Sequence, residues 1–191
     1  MVTAAYLALL AAVGVERLFE LWLSRRNAQR AFARGGIECD AGHYGFMRVL
    51  HLAFLVACAA EVILLQRAFH PALAALMLFA AALAQALRYW SIWSLGDRWN
   101  VRVIVVPGDP VITRGPYRLV RHPNYAAVAI EGVALPMIHT AWLTALCFTL
   151  ANAALLAVRI ACEERALASH TDYRAALGDR ARFLPMPGSR R

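Results

Sequence analysis

The chain has 191 residues, of which 61% are hydrophobic and 17% are charged. This balance is unusual for a soluble globular domain, and because the apolar residues come in long blocks it indicates an integral membrane protein. The net charge is +8 and all 20 basic residues are arginines; they gather at the ends of the apolar blocks, which favours positive-inside membrane insertion over nucleic-acid binding.

The first three apolar blocks cover residues 2–23, 46–65 and 71–95. Each is close to the roughly 20 residues that an α-helix needs to cross a bilayer. The first block lacks a basic leader and a small-residue cleavage site, so we predict that it stays in the protein as a helix. The third opens with Pro71, which is tolerated in the first turn of a helix.

The last apolar region, residues 125–158, is too long for one span. As a single helix it would measure about 50 Å, against a hydrocarbon core of about 30 Å. Pro136 and the polar pair His139-Thr140 indicate a break. We therefore predict two helices, residues 124–138 and 141–164, folded as a hairpin.

The arginines follow the first block, the third block and the hairpin, whereas Arg67 is the only one between the second and third blocks. Five spans with the N-terminus outside would place all three arginine-rich segments in the cytoplasm. We expect an all-α integral membrane protein with five transmembrane helices, a C-terminal hairpin and a cytoplasmic cofactor-binding cap. The whole chain, 1–191, is predicted to be one domain, with three transmembrane helices in 1–95 and a catalytic region in 96–191.

The cap would be built from "DRWNVRVIVVPGDPVITRGPYRLVRHPNY". Residues 101–106 look extended and β-branched, whereas "PGDP" and "TRGPY" are typical of turns. His122-Pro123 then opens the first helix of the hairpin, whose free N–H groups provide a positive end for the polar part of a ligand. The alternative is that these arginines and tyrosines only anchor the protein at the membrane interface.

The segment "RIACEERAL" puts Arg159 and Glu163 four residues apart on one helix face. They could form a simple ion pair, or Arg159 could face an anionic substrate while Glu163 contacts a cofactor. Ionisable groups inside apolar blocks are costly, so each is a candidate site residue. The first block carries Glu16, Arg17 and Glu20 near its end, and the further ionisable groups inside the blocks are His51, Glu61, Arg88 and Glu131. Glu131 follows Tyr125 on the short helix and is predicted to line the same cavity, whereas Glu61 and His51 are expected to pair within the bundle.

Taken in order, "GPYRLVRHPNY", a hairpin, "RIACEERAL" and "YRAAL" resemble the isoprenylcysteine carboxyl methyltransferase (ICMT) family over about residues 101–184. Residues 16–51 also resemble a bacterial subgroup that methylates long-chain alkylpyrones. The resemblance implies a methyltransferase of the bacterial inner membrane. It would use S-adenosylmethionine, release S-adenosylhomocysteine and need no metal. Its acceptor would be a lipophilic or prenylated molecule in the lipid bilayer.

The resemblance also implies roles for individual residues. Arg159, Glu163 and Tyr125 would be catalytic; Arg159 would face the acceptor, with Glu131 as a second substrate contact, and Arg102 is a possible counterpart of a polar family residue. The cofactor contacts would be Asp109, Pro110, Val111, Ile112, Tyr117, His122, Pro123, Asn124, Tyr125 and Glu163.

The sequence does not decide which molecule accepts the methyl group, or whether the protein is a methyltransferase at all. A carboxylate or an acidic enol is ionised near neutral pH and needs no general base, whereas a phenol would need one, for which His51 or Glu131 is available. The alternatives are an NADPH-dependent sterol-type membrane reductase, which carries a similar Arg-His-Pro-Asn-Tyr segment, and a small membrane transporter or scaffold without enzyme activity.

Overall fold

The computed structural model describes residues 1–39 and 41–184. Its α-helices are α1 (Val2–Ala33), α2 (Ala41–Leu64), α3 (Pro71–Leu95), α4 (Pro123–Met137), α5 (Trp142–His170) and α6 (Tyr173–Leu177). Two short strands, β1 (Ile37–Glu38) and β2 (Ile104–Val105), pair antiparallel with Ile37 opposite Val105. Single 3₁₀ turns lie at Gly96–Arg98 and Gly115–Arg118.

Four of the helical segments are long and apolar enough to cross a membrane. They are Val2–Ala33, Tyr44–Leu64, Pro71–Arg98 and Trp142–His170. Helix α4 has 15 residues, which makes it about 22 Å long and shorter than the apolar core of a bilayer. The predicted all-helical, multi-pass fold is therefore confirmed with four candidate spans, while the fifth span remains a prediction.

The helix boundaries follow the apolar blocks only in part. Helix α3 has the predicted bounds, but α1 continues to Ala33 instead of ending near Leu23. Residues 24–33 contain no Gly or Pro, and the first residue that adopts a left-handed conformation is Gly35, with φ of 79°. Arginines that we predicted in a loop therefore lie on the last turns of α1. Helix α5 likewise runs beyond Glu164 to His170, because the intervening residues favour helix.

The predicted hairpin is present. Helix α4 ends one residue after Pro136, and the chain turns through Thr140, which adopts a positive φ of 55°. The Thr140 hydroxyl donates a 2.5 Å hydrogen bond to the carbonyl oxygen of Ala68. The turn returns α5 antiparallel to α4, so that the start of α4 lies beside the end of α5.

Glu61 fixes the start of α5. Its carboxylate accepts hydrogen bonds from the backbone N–H groups of Leu143, at 3.2 Å, and Thr144, at 2.7 Å. The Thr144 hydroxyl and the Arg67 guanidinium contact the same carboxylate. A carboxylate at a helix N-terminus satisfies free N–H groups and opposes the helix dipole, so Glu61 has a structural role within the bundle, as expected.

Segments that are distant in the sequence meet at one end of the bundle. Strand β1, after α1, pairs with β2, after α3, and the N–H groups of Arg121 and His122 donate to the carbonyl oxygens of Ala181 and Arg182. We refer to residues 96–122 and 171–184 as the cap. Within the predicted extended stretch 101–106 only β2 forms a strand. The side of the membrane that the cap faces remains a prediction, and Arg190 and Arg191 lie outside the described residues.

Close packing between α4 and α5 can be tested at Gly132. A Cβ atom there would lie 2.6 Å from the Phe148 ring, which is buried in the core. We expect Gly132→Ala to lower the free energy of unfolding by about 1–3 kcal/mol through overpacking. The matched control is Gly45→Ala in α2, where a Cβ would meet nothing within 4 Å and helix propensity should rise. Thermal unfolding in detergent measures both, and equal stability of the two variants would contradict the packing argument.

Candidate active site

Tyr125, Arg159 and Glu163 form one hydrogen-bonded group where α4 begins and α5 nears its end. The Tyr125 hydroxyl donates to Glu163 Oε2 at 2.5 Å, and Arg159 Nε donates to the Tyr125 oxygen at 2.9 Å. Arg159 Nη2 donates to the carbonyl oxygen of Val101. Tyr125 thus links Arg159 to Glu163, four residues further along α5. The cap holds the Arg159 guanidinium from the other side through Val101.

A second ionic cluster lies next to this group and is centred on Glu164. Its Oε1 lies 3.0 Å from His122 Nε2 and 3.1 Å from Arg121 Nη1, and its Oε2 lies 2.7 Å from Arg182 Nη2. The His122 and Tyr125 rings stack with their centroids 5.4 Å apart. Glu164 therefore ties the start of α4 and the tail of the chain to α5.

Both groups border a cavity with a volume of about 280 Å³. The cavity extends from the cap into the bundle, because its lining comes from the cap and from α1, α2, α3, α4 and α5. Most of the predicted site residues line it. They are Arg102, Asp109, Pro110, Val111, Ile112, Tyr117, His122, Asn124, Tyr125, Arg159 and Glu163. The structure thus gathers residues that are up to about sixty positions apart in the sequence.

Pro123 and Glu131 are not among the lining residues of this cavity. Pro123 is buried as the first residue of α4, and the Glu131 carboxylate is held by Arg88, whose Nε donates to Glu131 Oε1 at 3.1 Å. A second bond joins Arg88 Nη2 to Glu131 Oε2. Arg88 itself lines the cavity, so Glu131 can act on a ligand there through Arg88. Its direct contact with substrate remains a prediction.

Charged residues in the middle of α1 complete a buried charge network with these residues. Arg17 Nη1 donates to Glu20 Oε2 at 2.8 Å, and Arg88 Nη1 lies 3.7 Å from the same oxygen. Arg17, Glu20 and Arg88 line the cavity. Charges inside the bundle are thus paired across α1, α3 and α4, as the cost of isolated charge in a membrane requires.

Sequence reasoning missed several residues of the cavity wall, and Asn152 and Tyr173 are two of them. Asn152 lies seven positions before Arg159 on α5 and lines the cavity with it; the helical repeat puts both on one face, and that spacing could have revealed it. Tyr173 of α6 also lines the cavity. Burial, with the nearby Glu164 carboxylate, raises its pKa to about 12, and burial likewise raises the pKa of Tyr117. Both phenols are therefore neutral hydrogen-bonding groups at physiological pH.

Membrane-length helices that enclose a cavity open toward a polar cap define an integral membrane protein with a binding site shared between cap and bundle. Residues 73–169 match the isoprenylcysteine carboxyl methyltransferase (ICMT) family. The chain is 37% identical to the uncharacterized protein YpbQ of Bacillus subtilis over 85% of this chain and 96% of that protein. It is 28% identical to an uncharacterized protein of Haemophilus influenzae over 79% of this chain and 88% of that protein.

The chain belongs to the ICMT family. The predicted family resemblance is thereby confirmed. Membership implies a membrane methyltransferase that acts on a lipophilic substrate.

The Glu164 cluster predicts how firmly the tail is held. Replacing Glu164 by Gln removes the charge shared by Arg121 and Arg182, so we expect residues 178–184 to detach more often and trypsin to cleave after Arg182 several times faster in detergent. The control is Asp97→Asn, which breaks an exposed pair with Arg30 and should have little effect, as exposed ion pairs contribute little. Unchanged cleavage in Glu164→Gln would show that the tail is held without the Glu164 charge, by its backbone pairing and by the contact of Arg180 with the Tyr117 carbonyl oxygen.

Proposed function

We propose that the protein transfers a methyl group from S-adenosylmethionine to an anionic oxygen of a lipophilic acceptor, a carboxylate or an acidic enol. The observation that carries this proposal is the Tyr125–Arg159–Glu163 group on the wall of a cavity that joins the cap to the bundle. A soluble donor can reach such a site from the cap and a membrane-dissolved acceptor from between the helices.

The donor half of the cavity fits S-adenosylmethionine by its chemistry. Bound there, the molecule would supply a methyl group on a positively charged sulfur. Tyrosine faces and carboxylates favour a cation, and Tyr125 and Glu163 are in contact on the cavity wall. Within residues 1–39 and 41–184, the buried Oδ1 atom of Asn124 has no hydrogen-bond partner, so it can accept a bond from an amino group of the donor. Asp109–Ile112, at the cap end, would border the same molecule.

Arg159 suits the acceptor half. Its guanidinium is buried and is oriented by Tyr125 and by the Val101 carbonyl group. A guanidinium held in this way would orient an anionic oxygen by charge-assisted hydrogen bonds and keep it in line with the methyl group. Because an ionised acceptor needs no base, the reaction does not depend on a proton transfer by His51 or Glu131.

The identity of the donor separates this proposal from its alternatives. We expect S-adenosylhomocysteine to raise the melting temperature of the purified full-length protein in detergent, and NADPH to leave it unchanged. Stabilisation by NADPH would favour a sterol-type reductase, and stabilisation by neither molecule would favour a transporter or scaffold. Glu163→Gln should weaken the binding of S-adenosylmethionine, whose sulfur is positively charged, about tenfold in apparent Kd, the size expected for one charge-assisted contact.

The acceptor is identified by incubating the protein with labelled S-adenosylmethionine and four candidate lipids: a prenylcysteine analogue, a long-chain alkylpyrone, an alkylresorcinol and a phospholipid amine. We expect label on the prenylcysteine carboxylate or the pyrone enol and very little on the amine, which Arg159 would repel. Label on the resorcinol alone would show that the site includes a general base.

Variants at Arg159 and at its partner Tyr125 test the role of the guanidinium. We expect Arg159→Gln to reduce kcat/KM for methyl transfer by about a hundredfold, comparable to the loss of one oxyanion-stabilising donor. Tyr125→Phe should cost about tenfold, because Arg159 and Glu163 lose the group that links them. Arg165→Gln is the matched control, since Arg165 is exposed on the same helix. Full activity in Arg159→Gln would exclude the proposed contact with the acceptor.

A further inference from the structure

Two buried acceptor atoms lie on the bundle side of the cavity without a partner. They are Oε1 of Glu20, on α1, and Oδ1 of Asn152, on α5; in the part of the chain that the structure describes, neither has a hydrogen-bond partner. Both residues line the cavity, and they are only 6% and 3% exposed. A buried oxygen without a donor is unfavourable, so each such atom in a native fold calls for a specific explanation.

The state of Glu20 shows which kind of group is missing. Its other oxygen, Oε2, is already contacted by Arg17 and Arg88, so Oε1 is the part of the carboxylate left available. The surrounding network contains Glu16, Glu20 and Glu131 against Arg17 and Arg88, which leaves an excess of one carboxylate when all are ionised. Such a site favours a hydrogen-bond donor over another acceptor.

The position of Asn152 sets the distance to the proposed reaction centre. Asn152 and Arg159 are seven residues apart, two turns of α5, and both line the cavity. The separation along the helix is therefore about 10 Å. Glu163 lies one further turn beyond Arg159 toward the cap. The order along the helix face is Glu163, Arg159 and then Asn152 in the interior of the bundle.

We propose that Glu20 and Asn152 form a specificity subsite for the acceptor lipid, which binds a hydroxyl or N–H group located about 10 Å from the oxygen held by Arg159. A lipid with only a plain alkyl chain at that distance would leave both oxygens unsatisfied, whereas a donor on the chain would satisfy at least one of them. The proposal rests on the proposed function only for the role of Arg159; the subsite itself follows from Glu20 and Asn152.

The test measures binding without the methyl donor, so that it does not depend on turnover. The probes are two medium-chain fatty acids that differ only in a terminal hydroxyl group, titrated into the purified full-length protein in detergent while the melting temperature is followed. We expect the hydroxy acid to bind about tenfold more tightly, because the carboxylate can meet Arg159 and the hydroxyl can meet the subsite. Equal affinity of the two acids would overturn the proposal. That result is expected if water already satisfies both oxygens.

Variants assign the preference to the two residues. Asn152→Leu, which is similar in size but has no acceptor, should reduce the hydroxyl preference several-fold, whereas Asn152→Asp, which retains an acceptor oxygen, should preserve it. Thr149→Val is the matched control, since Thr149 is exposed on the same helix, and it should leave the preference unchanged. A full preference in both Asn152→Leu and Glu20→Leu, neither of which retains an acceptor oxygen, would also overturn the proposal.

The two proposals fail in different ways. If the protein discriminates the two acids but does not bind S-adenosylhomocysteine, the subsite stands and the proposed methyl transfer does not. If it binds S-adenosylhomocysteine but does not discriminate the acids, the methyl transfer stands and the subsite does not. Where a substitution at Glu20 lowers stability through the loss of its arginine contacts, the Asn152 variants still decide the outcome.

Discussion

The hydrogen bond from Tyr125 to Glu163 is the contact on which the candidate site depends. It joins the first turn of α4 to the last third of α5, and these meet only because the chain reverses between Ile138 and Ala141. Glu61 fixes the start of α5, directly after this reversal, because its carboxylate satisfies the free N–H groups there. A carboxylate far from the cavity thus helps to set the relative position of the two helices that build its wall.

The charged groups of the bundle divide into those that hold the structure together and those that face the cavity. Arg88 and Glu131 satisfy each other, which is the arrangement expected where unpaired charge is costly. Glu20 and Asn152 do not follow this pattern, since each retains an acceptor atom without a protein donor among the described residues. We propose that these two acceptor atoms, which both lie on the cavity wall, receive a donor group of the acceptor lipid.

Much of the site could be predicted from the sequence because it rests on short-range patterns. The hairpin followed from the length of the apolar region and from Pro136, and the proximity of Arg159 and Glu163 followed from helical spacing. The pairing of β1 with β2 and the extension of α1 to Ala33 could not be predicted from hydropathy, because neither changes the apolar pattern. The pairing of Glu131 with Arg88 could not be predicted either, because the packing of α3 against α4 decides which buried charges meet.

The position of the cavity would allow one small chain to bind two molecules of opposite solubility, as the proposed methyl transfer requires. The cap end is built from turns and charged side chains and can admit a polar molecule from water, whereas the bundle end lies between helices whose outer faces are apolar. Arg159 lies between the two, fixed by the cap through Val101 and by α4 through Tyr125. A guanidinium anchored from both sides loses little further freedom when an anion binds, so its binding energy can go into orienting that anion. The helical rise fixes the separation of Arg159 and Asn152 along α5 at about 10 Å, so under our proposal the acceptor would be selected both by its length and by the position of a donor group along it.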